Sequence, residues 1–172
     1  MKNKFLIFST LLAGVMLLLA LFPKQTFAQC LQYPVELSER IGDAALIVEG
    51  SVLDVKTLRD ASDERIYTFY LVEPSKLLKG NSSDHFWIEV PGGQLGMEIQ
   101  RYSPEFKIQI NEAGVYMVNP TATHLDGLLV YKSVAHAQGA IRYHTENGKA
   151  LGEFDAYESP DALLKAVSEN TG

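Results

Sequence analysis

One cysteine in 172 residues, Cys30, has no internal partner for a disulfide and cannot supply a zinc site built on several thiolates. Basic residues are also scarce, with 15 Lys and Arg against 21 Asp and Glu, for a formal net charge of −6. That balance argues against a nucleic-acid-binding surface. The 13 glycines and 7 prolines are too few for a low-complexity or collagen-like chain. No internal repeat is visible, and no linker is long enough to divide the chain. What remains is an ordinary globular composition, 47% hydrophobic and 21% charged, with room for one domain and its core.

The longest uncharged run, Phe5 to Phe22, follows Lys2 and Lys4 and is stopped by Pro23. Thr26-Phe27-Ala28 then offers small residues where a signal peptidase reads, so cleavage is expected between Ala28 and Gln29. An uncleaved anchor is the competing reading, because the run approaches the ~20 residues that span a bilayer. The order of basic start, apolar run, helix breaker and small residue favours cleavage. Gln29 is too large to precede a lipidated cysteine, which speaks against lipidation of Cys30. Residues 1–28 are thus expected to be a signal peptide and 29–172 a single domain. The product would be secreted, periplasmic or at the cell surface, with no stable membrane anchor. Processing would remove Lys2, Lys4 and Lys24 and no acidic residue, taking the net charge from −6 to −9.

The mature chain reads mainly as strands. Ser38 is a candidate cap for a short helix ending near Gly42. From Ala45 the pattern is extended, with Leu46, Val48, Gly50 and Val52 on one face. After Val52 the parity flips to Leu53 and Val55, which predicts a bulge or sharp bend near Gly50. Asp60 to Glu64 is a turn, and Arg65 to Val72 should return as the second arm of a hairpin. Leu77-Leu78-Lys79-Gly80 leads into a further turn over Asn81 to Asp84. Phe86, Ile88 and Val90 then alternate with His85, Trp87 and Glu89. Pro91-Gly92-Gly93 breaks that strand, with Gly96 in the loop beyond. Further strands are predicted with Phe106, Ile108 and Ile110 inward, from Val115 to Val118, from Gly127 to Val134 and from Ala140 to His144. A turn follows at Asn147-Gly148. Ser159-Pro160-Asp161 opens a terminal helix carrying Leu163, Leu164 and Val167. The sum is a mainly β chain: a small closed or partly open Greek-key, OB-like barrel with a short N-terminal and a short C-terminal helix.

The chemistry-bearing residues are sparse. His85, His124, His136 and His144 form no H-x-x-x-H pair, no H-E-x-x-H is present, and no serine sits in a G-x-S-x-G elbow. The glycine-rich Pro91 to Gly96 stretch lacks the Lys-Ser/Thr of a phosphate loop and reads as a tight loop at a barrel end. Asn81-Ser82-Ser83 matches a glycosylation sequon, meaningful only in a eukaryotic secretory pathway. No catalytic, cofactor-binding or metal-ligating residue is assigned. For Trp87 two readings stand: an exposed ring that contacts a partner, or a ring covered by the terminal helix or a loop. With Gly92, Gly93 and Gln94 it forms the candidate partner-binding surface.

Ala44 to Val52, Ile66-Tyr67-Thr68-Phe69, Leu77 to Gly80, Val90 to Gly93 and Asn111 to Met117 together resemble a bacterial module. It is the N-terminal β-barrel domain of Bacteroidetes exported proteins, often found ahead of matrixin-type metalloprotease and C-terminal sorting domains. The likeness extends over about residues 30–120. It implies fold and export rather than proteolysis, since the chain carries no protease zinc motif. The same order of elements is similar to the netrin-like OB fold of tissue inhibitors of metalloproteinases. Those inhibitors chelate the protease zinc through an N-terminal cysteine, whereas Cys30 would follow Gln29 here.

Three functions are therefore weighed. The first is a non-enzymatic exported binding or accessory module acting on a protein or carbohydrate partner. The second is a protease-associated domain, either a pro-region or a netrin-like inhibitor, in a stand-alone chain or a piece of a longer product. The third is a hydrolase with an unrecognised site.

Overall fold

The computed structural model describes residues 33–60, 64–81, 84–103, 106 and 108–171. The predicted cleavage site at Ala28 and Gln29, and Cys30, lie outside these residues. A short helix α1 (Leu37–Asp43) precedes two long strands, β1 (Leu46–Arg59) and β2 (Ile66–Lys79). Next come β3 (Phe86–Pro91) and a small hairpin of β4 (Gly93–Leu95) and β5 (Glu98–Gln100). The chain continues through β6 (Ala113–Leu125), β7 (Leu128–Ser133), a 3-10 turn (His136–Gly139) and β8 (Ala140–His144). It ends with β9 (Lys149–Leu151), β10 (Ala156–Tyr157) and α2 (Pro160–Thr171).

The pairings are what make this barrel-like. β1 pairs with β2, β2 with β3, β3 with β7, β7 with β6, and β6 returns to β1. All are antiparallel except β3 with β7, which is parallel and gives the Greek-key crossover. β8, β9 and β10 continue outward from β6, so the sheet is ring-like in part without being a closed barrel. β1 serves two neighbours over Ile47 to Ser51; beyond Ser51 β2 is its ladder partner.

That double duty requires the bend seen in the sequence. Register shifts occur at Ile47/Val48, Glu49/Gly50 and Val52/Asp54, and the last leaves Leu53 as the extra, exposed residue. The predicted bulge is present. Leu53 is a correction, because it is extruded there instead of joining Val55 on the apolar face. Gly50 stands opposite Gly114 of β6. A Cβ on Gly50 would meet the Glu73 carbonyl oxygen at 2.5 Å, and one on Gly114 would meet that of Ile141 at 2.5 Å.

Three apolar clusters follow from the alternation. Inside the ring, Val48, Val52, Tyr70, Phe86, Ile88, Tyr116 and Val118 form the main core. On the outer side, Ile47, Met117 and Ile141 are covered by Ile41 of α1 and by Leu163 and Val167 of α2. Lys79 Nζ caps the end of α1, donating to the carbonyls of Ile41 (2.6 Å) and Gly42 (3.1 Å). Ser159 caps α2 as expected, its Oγ accepting from the Ala162 N–H at 3.2 Å.

Further expectations are corrected. Ser38 lies inside α1, where Glu36 is the N-cap residue and makes no side-chain capping bond. β2 runs on to Lys79 instead of ending at Val72. The strand predicted around Phe106 to Ile110 is absent among the described residues: Phe106 and Ile108 are buried, but Ile110 is exposed. Alternation placed Phe106 and Ile108 at the core correctly but not Ile110, and the backbone of this stretch meets β1 through Asn111 and Glu112 at Val52.

A buried charge locks the helical side. Arg40 of α1 is 2% exposed and donates to both carboxylate oxygens of Asp155, at 2.9 and 2.6 Å, and to the Gln138 carbonyl. The Gln138 side chain, also buried, accepts from the Val35 N–H (2.7 Å) and donates to the Tyr33 carbonyl (3.0 Å). Among the described residues no helix is long and apolar enough to cross a membrane.

Candidate functional site

The structure separates the four residues expected to form one surface. Trp87 points away from the barrel interior and is 2% exposed, packed with Phe69 and Val130. Its cover comes from the β6–β7 turn, through Leu125 and Leu128, and from Lys56, whose Nζ lies 5.2 Å from the ring centroid. Lys56 is held there by Asp126 of the same turn. Of the two readings the covered ring is the one that holds, the cover being a loop (the β6–β7 turn) and not the terminal helix, so Trp87 is corrected out of the candidate partner-binding surface. The indole Nε1 has no hydrogen-bond partner in this packing.

Gly92, Gly93 and Gln94 line a cleft of about 210 Å³ on the other face of β3. β2 contributes Thr68 and Tyr70, β3 contributes Val90 and Pro91, and the far wall is Ile99 and Gln100 of β5 with Arg101 and Tyr102 behind it. Tyr70 and Phe106 close the floor as a tilted ring pair with centroids 5.8 Å apart. The floor is thus the end of the barrel core, exposed where the β4–β5 hairpin stands off it.

The glycines build this wall. Gly92 and Gly93 adopt φ of +97° and +136°, which side chains disfavour. A Cβ on Gly92 would stand 2.8 Å from the Gln100 carbonyl oxygen and 3.1 Å from Cδ2 of Tyr102. One on Gly93 would strike Thr68 Oγ1 at 2.3 Å and Thr57 Cγ2 at 3.0 Å. The bare backbone lets the hairpin fold against β1 and β2 and lets the Tyr102 ring rest beside Gly92. Thr68 Oγ1 fixes the loop by donating to the Gly92 carbonyl at 2.8 Å, and Gln100 Oε1 accepts from the Ile66 N–H at 2.8 Å.

Beyond these anchors the rim is open. Gln94 spends its Nε2 on the Gly96 carbonyl, leaving Oε1 as an acceptor. Arg101 and Tyr102 are exposed, and Arg101 is the one charged side chain among the described lining residues. The hairpin tip beyond the cleft is apolar, with Leu95, Met97 and Ile99 exposed. The sequence singled out Gly92 to Gln94 but missed Arg101 and Tyr102, which follow the hairpin as an unremarkable polar pair.

The histidines lie on separate elements: His85 before β3, His124 in β6, His136 in the 3-10 turn and His144 ending β8. His85 faces Glu73 at 3.5 Å on the surface. Among the described residues no three His, Cys, Asp or Glu side chains converge as metal ligands. Burial pushes the Tyr116 phenol well above its usual range, with Glu112 adding to the effect. Burial does the same for Tyr143, helped by its 2.9 Å hydrogen bond to Glu49. Each phenol donates a hydrogen bond, Tyr143 to Glu49 Oε1 and Tyr116 to the Glu112 carbonyl.

No protein-family model matches the chain, and no curated protein is significantly similar to it.

Proposed function

We propose that the chain is an exported, non-enzymatic binding or accessory module that engages a protein or carbohydrate partner through the cleft behind the β4–β5 hairpin. The observation that carries this reading is the open cleft lined by Gly92, Gly93 and Gln94, where an apolar floor meets uncommitted polar groups. Such a combination suits recognition: apolar contact supplies affinity, and a few placed polar groups supply orientation. The leader-like residues 1–28 support export, as does the resemblance to the barrel module of Bacteroidetes exported proteins.

Amide-resolved NMR titration with a panel of soluble glycans and peptides tests the proposal. A ligand that shifts the resonances of residues 92–102, and loses that effect in Gly93→Val, is the expected result. A panel that leaves these resonances unmoved, or turnover of a hydrolase substrate by the pure protein, would overturn it.

A further inference from the structure

Three arginines of this acidic chain are visibly neutralised. Arg40 pairs with Asp155, Arg59 with Glu98, and Arg142 with Glu112. Arg101 has no such partner among the described residues, although acidic side chains outnumber basic ones 21 to 15. It lines the cleft, next to Tyr102 in the chain and together with Gln94. An unpaired guanidinium beside a pocket is a ready fork for a carboxylate.

We infer that the cleft recognises a carboxylate-bearing sugar of the uronate type, with Arg101 holding the carboxylate and the Gln94 and Tyr102 side chains meeting hydroxyls. This rests on the binding-module reading above and names its ligand class. The cleft, at about 210 Å³, is the size of a single sugar residue and not of an extended peptide. Its apolar floor of Tyr70, Val90 and Phe106 offers a surface for the C–H face of a pyranose. The rim supplies donors and acceptors together: the Tyr102 hydroxyl, the Gln94 Oε1 and the remaining lone pairs of Thr68. Ring hydroxyls, each donor and acceptor at once, match those rim groups within the span of one sugar. The excess negative charge of the chain disfavours anions at long range, so recognition depends on short contacts at Arg101.

The test is NMR titration of the full-length mature protein with D-glucuronate and D-galacturonate. Glucose, galactose, acetate and N-acetyl-glutamate amide serve as comparators. One uronate is expected to shift residues 92–102 and to bind about tenfold more tightly than its neutral parent sugar, the scale of one charge-assisted hydrogen bond. Arg101→Gln should erase that preference while leaving the remaining spectrum intact, and Arg101→Lys should keep part of it. Equal binding of uronate and neutral sugar, or an unchanged preference in Arg101→Gln, would overturn the inference. Acetate binding as tightly as the uronates would reduce the site to a bare charge contact and overturn it too. If the glutamate amide binds and the uronates do not, the ligand class is wrong but the binding-module reading stands. If nothing in the wider glycan and peptide panel binds either, that reading falls with it.

Discussion

Removing the Asp155 carboxylate should destabilise the protein more than removing the charge it neutralises. Arg40 is 2% exposed and its guanidinium donates twice to Asp155 and once to the Gln138 carbonyl. In Asp155→Ala the positive charge stays buried with one neutral acceptor. Breaking a buried pair in this way costs about 3–5 kcal/mol, out of a total stability of about 5–15 kcal/mol for a typical domain. With a urea slope of about 2 kcal/mol per molar, the midpoint falls by roughly 2 M. Arg40→Met keeps the length of the side chain and leaves behind a carboxylate with 13% exposure, which water can reach. Its cost should be smaller, and the double variant Arg40→Met/Asp155→Ala should recover much of the stability lost in Asp155→Ala alone. Equilibrium urea unfolding followed by circular dichroism measures all three. The exposed Lys56–Asp126 pair is the control, and Asp126→Asn should leave the midpoint nearly unchanged. If Asp155→Ala costs no more than that control, or if the double variant is the least stable, the reasoning about the buried charge is wrong.

Other outcomes follow from the same contacts. Trp87 is the only tryptophan and is buried, so native emission should be blue-shifted and resist iodide quenching; an emission maximum typical of solvated indole would contradict the packing. Leu163→Ala should lower stability by about 2–5 kcal/mol, because that side chain is fully buried between α2 and the sheet; thermal melts read the loss. Tyr116 and Tyr143 have phenol pKa values raised in the folded state, chiefly by burial. Their contribution to stability is complete below the unfolded value of about 10 and is lost as pH rises from there toward the folded values. Tyrosinate absorbance should show a late-titrating class that collapses into the early one on unfolding, and its absence in the native protein would refute the burial assignment.

The sequence by itself determined what depends on neighbours along the chain. Period-two alternation over Phe86 to Val90 placed Phe86 and Ile88 on one face and Trp87 on the other. The parity flip after Val52 marked a real bulge, and Ser159-Pro160 marked the start of α2, because both signals act within a few residues. The glycines at 92 and 93 marked a break after β3 that needs bare backbone, but the β4–β5 hairpin that begins at Gly93 was read as a loop. Only the tertiary structure decided what covers each face. Trp87 is hidden by Lys56 and by the turn at Leu125 to Leu128, far from it in the chain. Arg40 finds its carboxylate 115 positions away. The parallel pairing of β3 with β7 brings strands together across the β4–β5 hairpin and β6. Arg101 acquires its place only when the hairpin folds back over Thr68 and Tyr70. Alternation states that a side chain has an inner and an outer face; which remote residues complete each face is set by strand pairing and closure, to which local pattern is blind.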